Sequence, residues 1–148
     1  VRQLHSTAAL TGLLGLLFLM NGCGGSSGPP LARVSGVITI DGKPLRTGSV
    51  QFIPDADKGT TGRMAVGSID AKGNYTLTTQ KSGDGAQIGH HIVLVQSYEN
   101  VPAPKGYHSP FMSKPLIPEW YTDPKQSDLR TEVKKGENNV LSFDLVSK

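Results

Sequence analysis

A single cysteine, Cys23, is all the thiol chemistry in 148 residues. That excludes an intrachain disulfide framework and any zinc site built on paired thiolates. Basic residues never cluster beyond the pair Lys134–Lys135, and the formal net charge is only +3. A nucleic-acid binder needs a basic stripe to neutralise phosphates, so that class is set aside. Aromatics are few: one Trp, four Tyr and four Phe. The longest apolar run, residues 8–20 (AALTGLLGLLFLM), has 13 uncharged residues, whereas a bilayer span takes about 20. Helix-favouring stretches are scarce after it. What the chain does have is 18 Gly and 10 Pro, a turn-rich composition that points to an all-β fold. The length suffices for one domain with a real core.

The apolar run sits at the N-terminus behind Arg2 and ahead of a Gly/Ser/Pro tract. A charged n-region, a short apolar core and a flexible exit read as an export signal rather than a buried helix. Residues 17–23 (LFLMNGC) resemble a bacterial lipobox, with small Gly22 directly before Cys23. The resemblance implies cleavage after residue 22 and diacylation of Cys23. A thiol is the one side chain nucleophilic enough here for that alkylation. A leftover free thiol is the other reading of Cys23. Gly24 at the second mature position implies, by resemblance to bacterial sorting rules, the outer membrane. The expected organisation is a signal peptide at 1–22, lipidated Cys23 with a tether to residue 31, and one domain over 32–148. The segment GGSSG at 24–28 matches the G-x-S-x-G nucleophile elbow as a string. It lacks the flanking strand and helix that the elbow requires.

From Ala32 onward, alternation dominates. Val34, Ile38 and Ile40 share one face of a first strand, and Val50 and Phe52 one face of a second over 48–54. Residues 63–70 and 75–79 flank a tight turn at Asp70–Asn74, with Gly73 suited to positive φ. His91, Val93 and Val95 line a longer strand over 89–98. Leu129, Thr131 and Val133 mark another, and Leu141, Phe143 and Leu145 the last. Seven short strands at turn-punctuated spacing predict a seven-stranded antiparallel β-sandwich, Greek-key and immunoglobulin-like in architecture.

The strings VSGVITIDGKPL (34–45), GSVQFIP (48–54), DAKGNYTL (70–77) and GHHIVLV (89–95) resemble carboxypeptidase-regulatory-like, transthyretin-like domains. The tail IPEWYTDP (117–124) through KKGENN (134–139) is similar to small envelope lipoproteins carrying that domain. The resemblance covers nearly all of 32–146 and is carried by turns and β patterns. It implies a transthyretin-like fold in a non-enzymatic module. It brings no peptidase activity, because neither H-E-x-x-H nor a carboxypeptidase-type H-x-x-E occurs. The Tyr-Arg-Gly-Ser ending of transthyretin-related hydrolases is also missing.

Residues 99–126 carry six prolines and no strand pattern. A connection this long in a compact domain is usually functional or disordered. Five aromatics, Tyr98, Tyr107, Phe111, Trp120 and Tyr121, fall in or beside it. Two readings stand: these rings pack against the sandwich, or they form a face for a protein or a glycan. Tyr107, Trp120 and Tyr121 are the candidate binding residues.

The adjacent pair His90–His91 alternates faces on its strand and is not expected to share a metal. Asp55 and Asp57 with Gly59 lack the distal ligands of a calcium loop. No metal and no cofactor beyond the Cys23 lipid is expected. The expected function is a membrane-anchored, non-catalytic envelope module that is structural or protein-binding; a carbohydrate-binding accessory domain is the alternative.

Overall fold

The computed structural model describes residues 28–136 and 138–148. The expected signal peptide, Cys23 and the tether up to residue 27 lie outside the described residues. In chain order the strands are β1 (Leu31–Ala32), β2 (Val34–Ile40), β3 (Lys43–Pro44), β4 (Ser49–Pro54), β5 (Ala65–Ser68), β6 (Asn74–Thr76), β7 (Ala86–Gln87), β8 (Gly89–Gln96), β9 (Tyr98–Pro102), β10 (Phe111–Pro115), β11 (Arg130–Val133), β12 (Asn139–Val140) and β13 (Phe143–Leu145). Two 3₁₀ turns, Ala56–Lys58 and Glu119–Thr122, are the helical pieces among the described residues.

These strands form the all-β sandwich that the alternation predicts. One layer is antiparallel in the order β11-β8-β4-β5. The other is built on β2, with β6 and β3 along one edge and β12 and β13 along the other. A bridge between Val66 and Thr78 joins the layers on the β5 side. Each of the seven expected strands is present. Pairing is antiparallel throughout except at the end of the chain, where β12 and β13 run parallel to β2. The reason is topological: the turn after β11 brings Asn139 beside Arg33, whose carbonyl its amide meets at 3.2 Å, so the last strands enter from the same end as β2.

Side chains pointing inward from both layers make the core. Val34 and Ile38 of β2 face Val50 and Phe52 of β4, Val93 and Val95 of β8 and Val133 of β11, all essentially buried. Burying each such side chain contributes roughly 1.5–3 kcal/mol. Phe52 is the hub, with ring centroids 6.3 Å from Tyr75, 5.8 Å from His91 and 6.2 Å from Phe143. His91 is a core residue, as its alternation with His90 requires.

Gly36 permits one specific contact. The Tyr75 ring lies over it, and the Tyr75 hydroxyl donates to the Leu141 carbonyl. A Cβ at Gly36 would overlap that carbonyl and stand 2.9 Å from the Tyr75 ring. The bond pins the 141–142 bend that separates β12 from β13. The Asp70–Asn74 turn is built as expected: Gly73 has φ +84°, and the Asp70 carboxylate accepts from the amides of Lys72 (2.8 Å) and Asn74 (2.9 Å).

Candidate recognition surface

The connection between β8 and β11 does two separate things. Its second half closes the sandwich. β11 pairs with β8 only over Gly89–Ile92, which leaves the far half of that edge open. Residues 116–129 fill the gap: Leu116 N–H donates to Ser97 O at 3.0 Å, Ser127 Oγ to Val93 O at 2.7 Å, and Val93 N–H to Leu129 O at 3.0 Å. Within it, Ile117 and Tyr121 turn inward and join the core.

Its first half leaves the sandwich. β9 and β10 pair only with each other, in register from Tyr98↔Pro115 to Phe111↔Pro102. The sequence reading anticipates no strand here, so this hairpin corrects it. Alternation is a weak signal here because one face of the ribbon is exposed and the other only half-covered, at Glu99, Val101 and Met112. One face carries Tyr98, Asn100 and Pro102 opposite Pro115, Ser113 and Phe111, all exposed. The other carries Val101 opposite Met112, and Glu99 opposite Lys114, whose carboxylate and ammonium lie 3.2 Å apart. The tip, 103–110, is held by Ala103 N–H to Pro110 O and by Tyr107 N–H to Pro104 O.

The three candidate binding residues fall on two elements. Tyr107 is at the hairpin tip and 60% exposed. Trp120 and Tyr121 are neighbours in the 3₁₀ turn, with ring centroids 5.8 Å apart. Trp120 is 38% exposed and Tyr121 only 4%. Tyr121 is therefore a packing residue and not a stacking platform: its ring is in the core and its hydroxyl accepts the Val146 amide at 3.1 Å. Phe111 (57% exposed) and Tyr98 (49%) present more open aromatic surface than Trp120. Sequence reasoning places both in the cluster without ranking them, because exposure depends on the unrecognised strand pairing.

A cleft of about 170 Å³ lies where the hairpin root meets the 3₁₀ turn, lined by Ser97, Tyr98, Pro115, Ile117, Glu119 and Thr122. Glu119 carries no sequence signal for this position. Two hydroxyls at the cleft are already committed as donors: Ser97 Oγ to Thr47 O at 2.6 Å and Thr122 Oγ1 to Glu119 O at 2.7 Å. The turn is braced from below by Asp123, whose carboxylate accepts from Lys125 N–H (2.8 Å) and Gln126 Nε2 (2.7 Å). Those bonds, from the Lys125 amide first and the Gln126 side chain second, hold the Asp123 carboxyl below the usual carboxylate range.

Elsewhere, a groove of about 300 Å³ is lined by Asp55, Lys58, His90, His91 and Arg130–Glu132. Among the described residues, no three His, Cys, Asp or Glu side chains are grouped to hold a metal, and no helix is long and apolar enough to cross a membrane.

No known protein family and no curated protein matches this chain. Among solved structures, a 9R-lipoxygenase from Cyanothece PCC8801 is similar at 12% identity and a TM-score of 0.38. The match covers 81% of this chain and 17% of that one. At that TM-score it carries no argument about fold or activity.

Proposed function

We propose that this chain is a lipid-anchored, non-catalytic module of the bacterial outer membrane that binds another envelope protein through the β9–β10 hairpin. The hairpin is the observation that carries the reading. An isolated two-stranded ribbon is marginal in water. This one leaves Tyr98 and Phe111 uncovered on one face and Tyr107 at the tip. Exposed aromatics on a ribbon with two unpaired backbone edges suit a protein partner, which can cover the face and extend the strands.

The attachment geometry supports the same reading. Ile88 N–H donates to Pro30 O at 3.1 Å, just before β8 begins. The hairpin starts just after β8 ends. Eight residues of strand span roughly 26 Å, so the tether side and the hairpin root lie at opposite ends of the sandwich. A lipid on Cys23 would hold the tether end at the membrane, since each buried CH₂ adds about 0.8 kcal/mol, and leave the hairpin facing away. The lipobox resemblance supports the anchor, and the resemblance to carboxypeptidase-regulatory-like domains supports a binding rather than catalytic role.

The test is site-specific photo-crosslinking in native envelopes. A photoreactive residue at position 107 or 111 should give a discrete adduct with one protein, and the same residue at Lys72 should give none. Equal adduct patterns from 107, 111 and 72 would remove the hairpin from the reading. Cys23→Ser should shift the protein from the membrane to the soluble fraction; unchanged partitioning would remove the lipid anchor.

A further inference from the structure

The cleft at the hairpin root has a one-sided chemistry. Its side-chain polar groups, apart from the Tyr98 hydroxyl, are acceptors. The Glu119 carboxylate can only accept. Ser97 and Thr122 have spent their hydroxyl protons on Thr47 O and Glu119 O, so each offers the cleft only lone pairs. Three of the four polar side chains thus offer lone pairs, which favours a guest that arrives as a donor. The remaining walls, the Tyr98 ring, Pro115 and Ile117, are apolar. They suit a methylene stem with a charged head, and an aromatic wall favours a cation further.

Size and charge narrow the guest. A space of about 170 Å³ is below the roughly 300–1,000 Å³ of small-molecule sites, so it admits one side chain rather than an extended ligand. The chain as a whole is positive at +3, yet the stretch 117–128 around the cleft carries Glu119, Asp123 and Asp128 against Lys125 alone. Of the residues lining the cleft, Glu119 alone carries a formal charge, and its sign favours a cationic guest.

We infer that this cleft binds a basic side chain, a lysine or arginine presented by the partner protein, with Glu119 receiving the charged head. The inference rests on the reading of the hairpin as a recognition element and names the partner's chemistry at its root.

The experiment is an amide NMR titration of the full chain carrying Cys23→Ser. The probes are N-acetyl-lysine methylamide, its uncharged norleucine counterpart, and methyl α-glucoside. The lysine probe should shift the amides of Ser97, Tyr98, Ile117, Glu119 and Thr122 saturably. Glu119→Gln should weaken that binding by about fivefold, the upper range for an exposed ion pair, with the rest of the spectrum unchanged as the sign of an intact fold. The norleucine probe should bind the parent protein correspondingly weakly. Saturable shifts from the glucoside alone would make the cleft a polyol site and overturn the inference. So would no shift at these amides, or equal lysine binding by the Gln variant. If the lysine probe fails while the crosslinks from 107 and 111 persist, the cleft assignment falls and the hairpin reading stands.

Discussion

His91 offers the sharpest test of the packing. It is 1% exposed and its ring stands against Phe52. Nδ1 lies 3.0 Å from the Gly89 carbonyl, an acceptor only, so the proton belongs on Nδ1 and Nε2 carries a lone pair. No donor reaches that Nε2. Leaving a buried acceptor unmet costs about 1–3 kcal/mol, while the Gly89 bond returns about 1. His91→Phe or His91→Leu should therefore raise stability by about 1 kcal/mol at pH 7.5. The pH dependence is more diagnostic. Burial pushes the His91 imidazole below its ordinary 6.5, with the Gly89 bond opposing and the neighbouring His90 assisting. The unfolded chain thus takes up a proton at a pH where the folded chain does not. Stability is fully present above pH 6.5 and is lost as pH falls through 6.5 toward the folded value. The slope is at most about 1.4 kcal/mol per pH unit, so from pH 6.5 to 5.0 the ceiling is about 2 kcal/mol. Urea midpoints of the parent and both variants at pH 7.5 and 5.0 measure it. Parent and variants differ at position 91 alone, so the difference between their pH dependences reports the contribution of that residue. If the variants lose as much stability between the two pH values as the parent, the argument for His91 is refuted.

Three further results are expected. Tyr75→Phe removes the bond to Leu141 and strands a carbonyl, so it should cost about 1–2 kcal/mol; Gly36→Ala forces backbone apart at the same point and should cost about 3 kcal/mol or more, both read by urea denaturation. Asp84 accepts amides from Thr79 (2.7 Å), Gln80 (3.0 Å) and Lys81 (2.8 Å). Desolvation raises its pKa, but the Thr79, Lys81 and Gln80 amides outweigh this and leave it lowered. Asp84→Ala should cost about 1–2 kcal/mol at pH 7, and the difference from the parent should shrink as pH falls below about 3.8 in the same assay.

The layers of the sandwich were legible because most of their strands are covered on one side, although Leu94 on the other face of β8 is buried too. Val34 and Ile38, Val50 and Phe52, and His91, Val93 and Val95 alternate with outward residues, and all face the core. The Asp70–Gly73 turn was legible from its chemistry. The β9–β10 hairpin was not, because a ribbon covered only in part on one face imposes a weak period and its prolines read as breakers. The parallel return of β13 was hidden too, since alternation reports a strand's faces and not its direction. Trp120 and Tyr121 have similar composition, and only the 3₁₀ twist decides which of two adjacent rings goes inward. The cleft depended on a further step, the hydrogen bonds that leave Ser97 and Thr122 as acceptors.

The pairing of β13 with β2 joins residues 105 positions apart, as between Thr39 and the Asp144 carboxylate. Until the last few residues are available, β2 lacks its β12 and β13 neighbours, and Tyr75 has no Leu141 carbonyl to grip. Closure therefore waits for the whole domain. Contacts of such long sequence separation make folding slow, on the order of milliseconds to seconds. Loss of the final six residues would unmake one edge of the first long strand rather than merely shorten a tail.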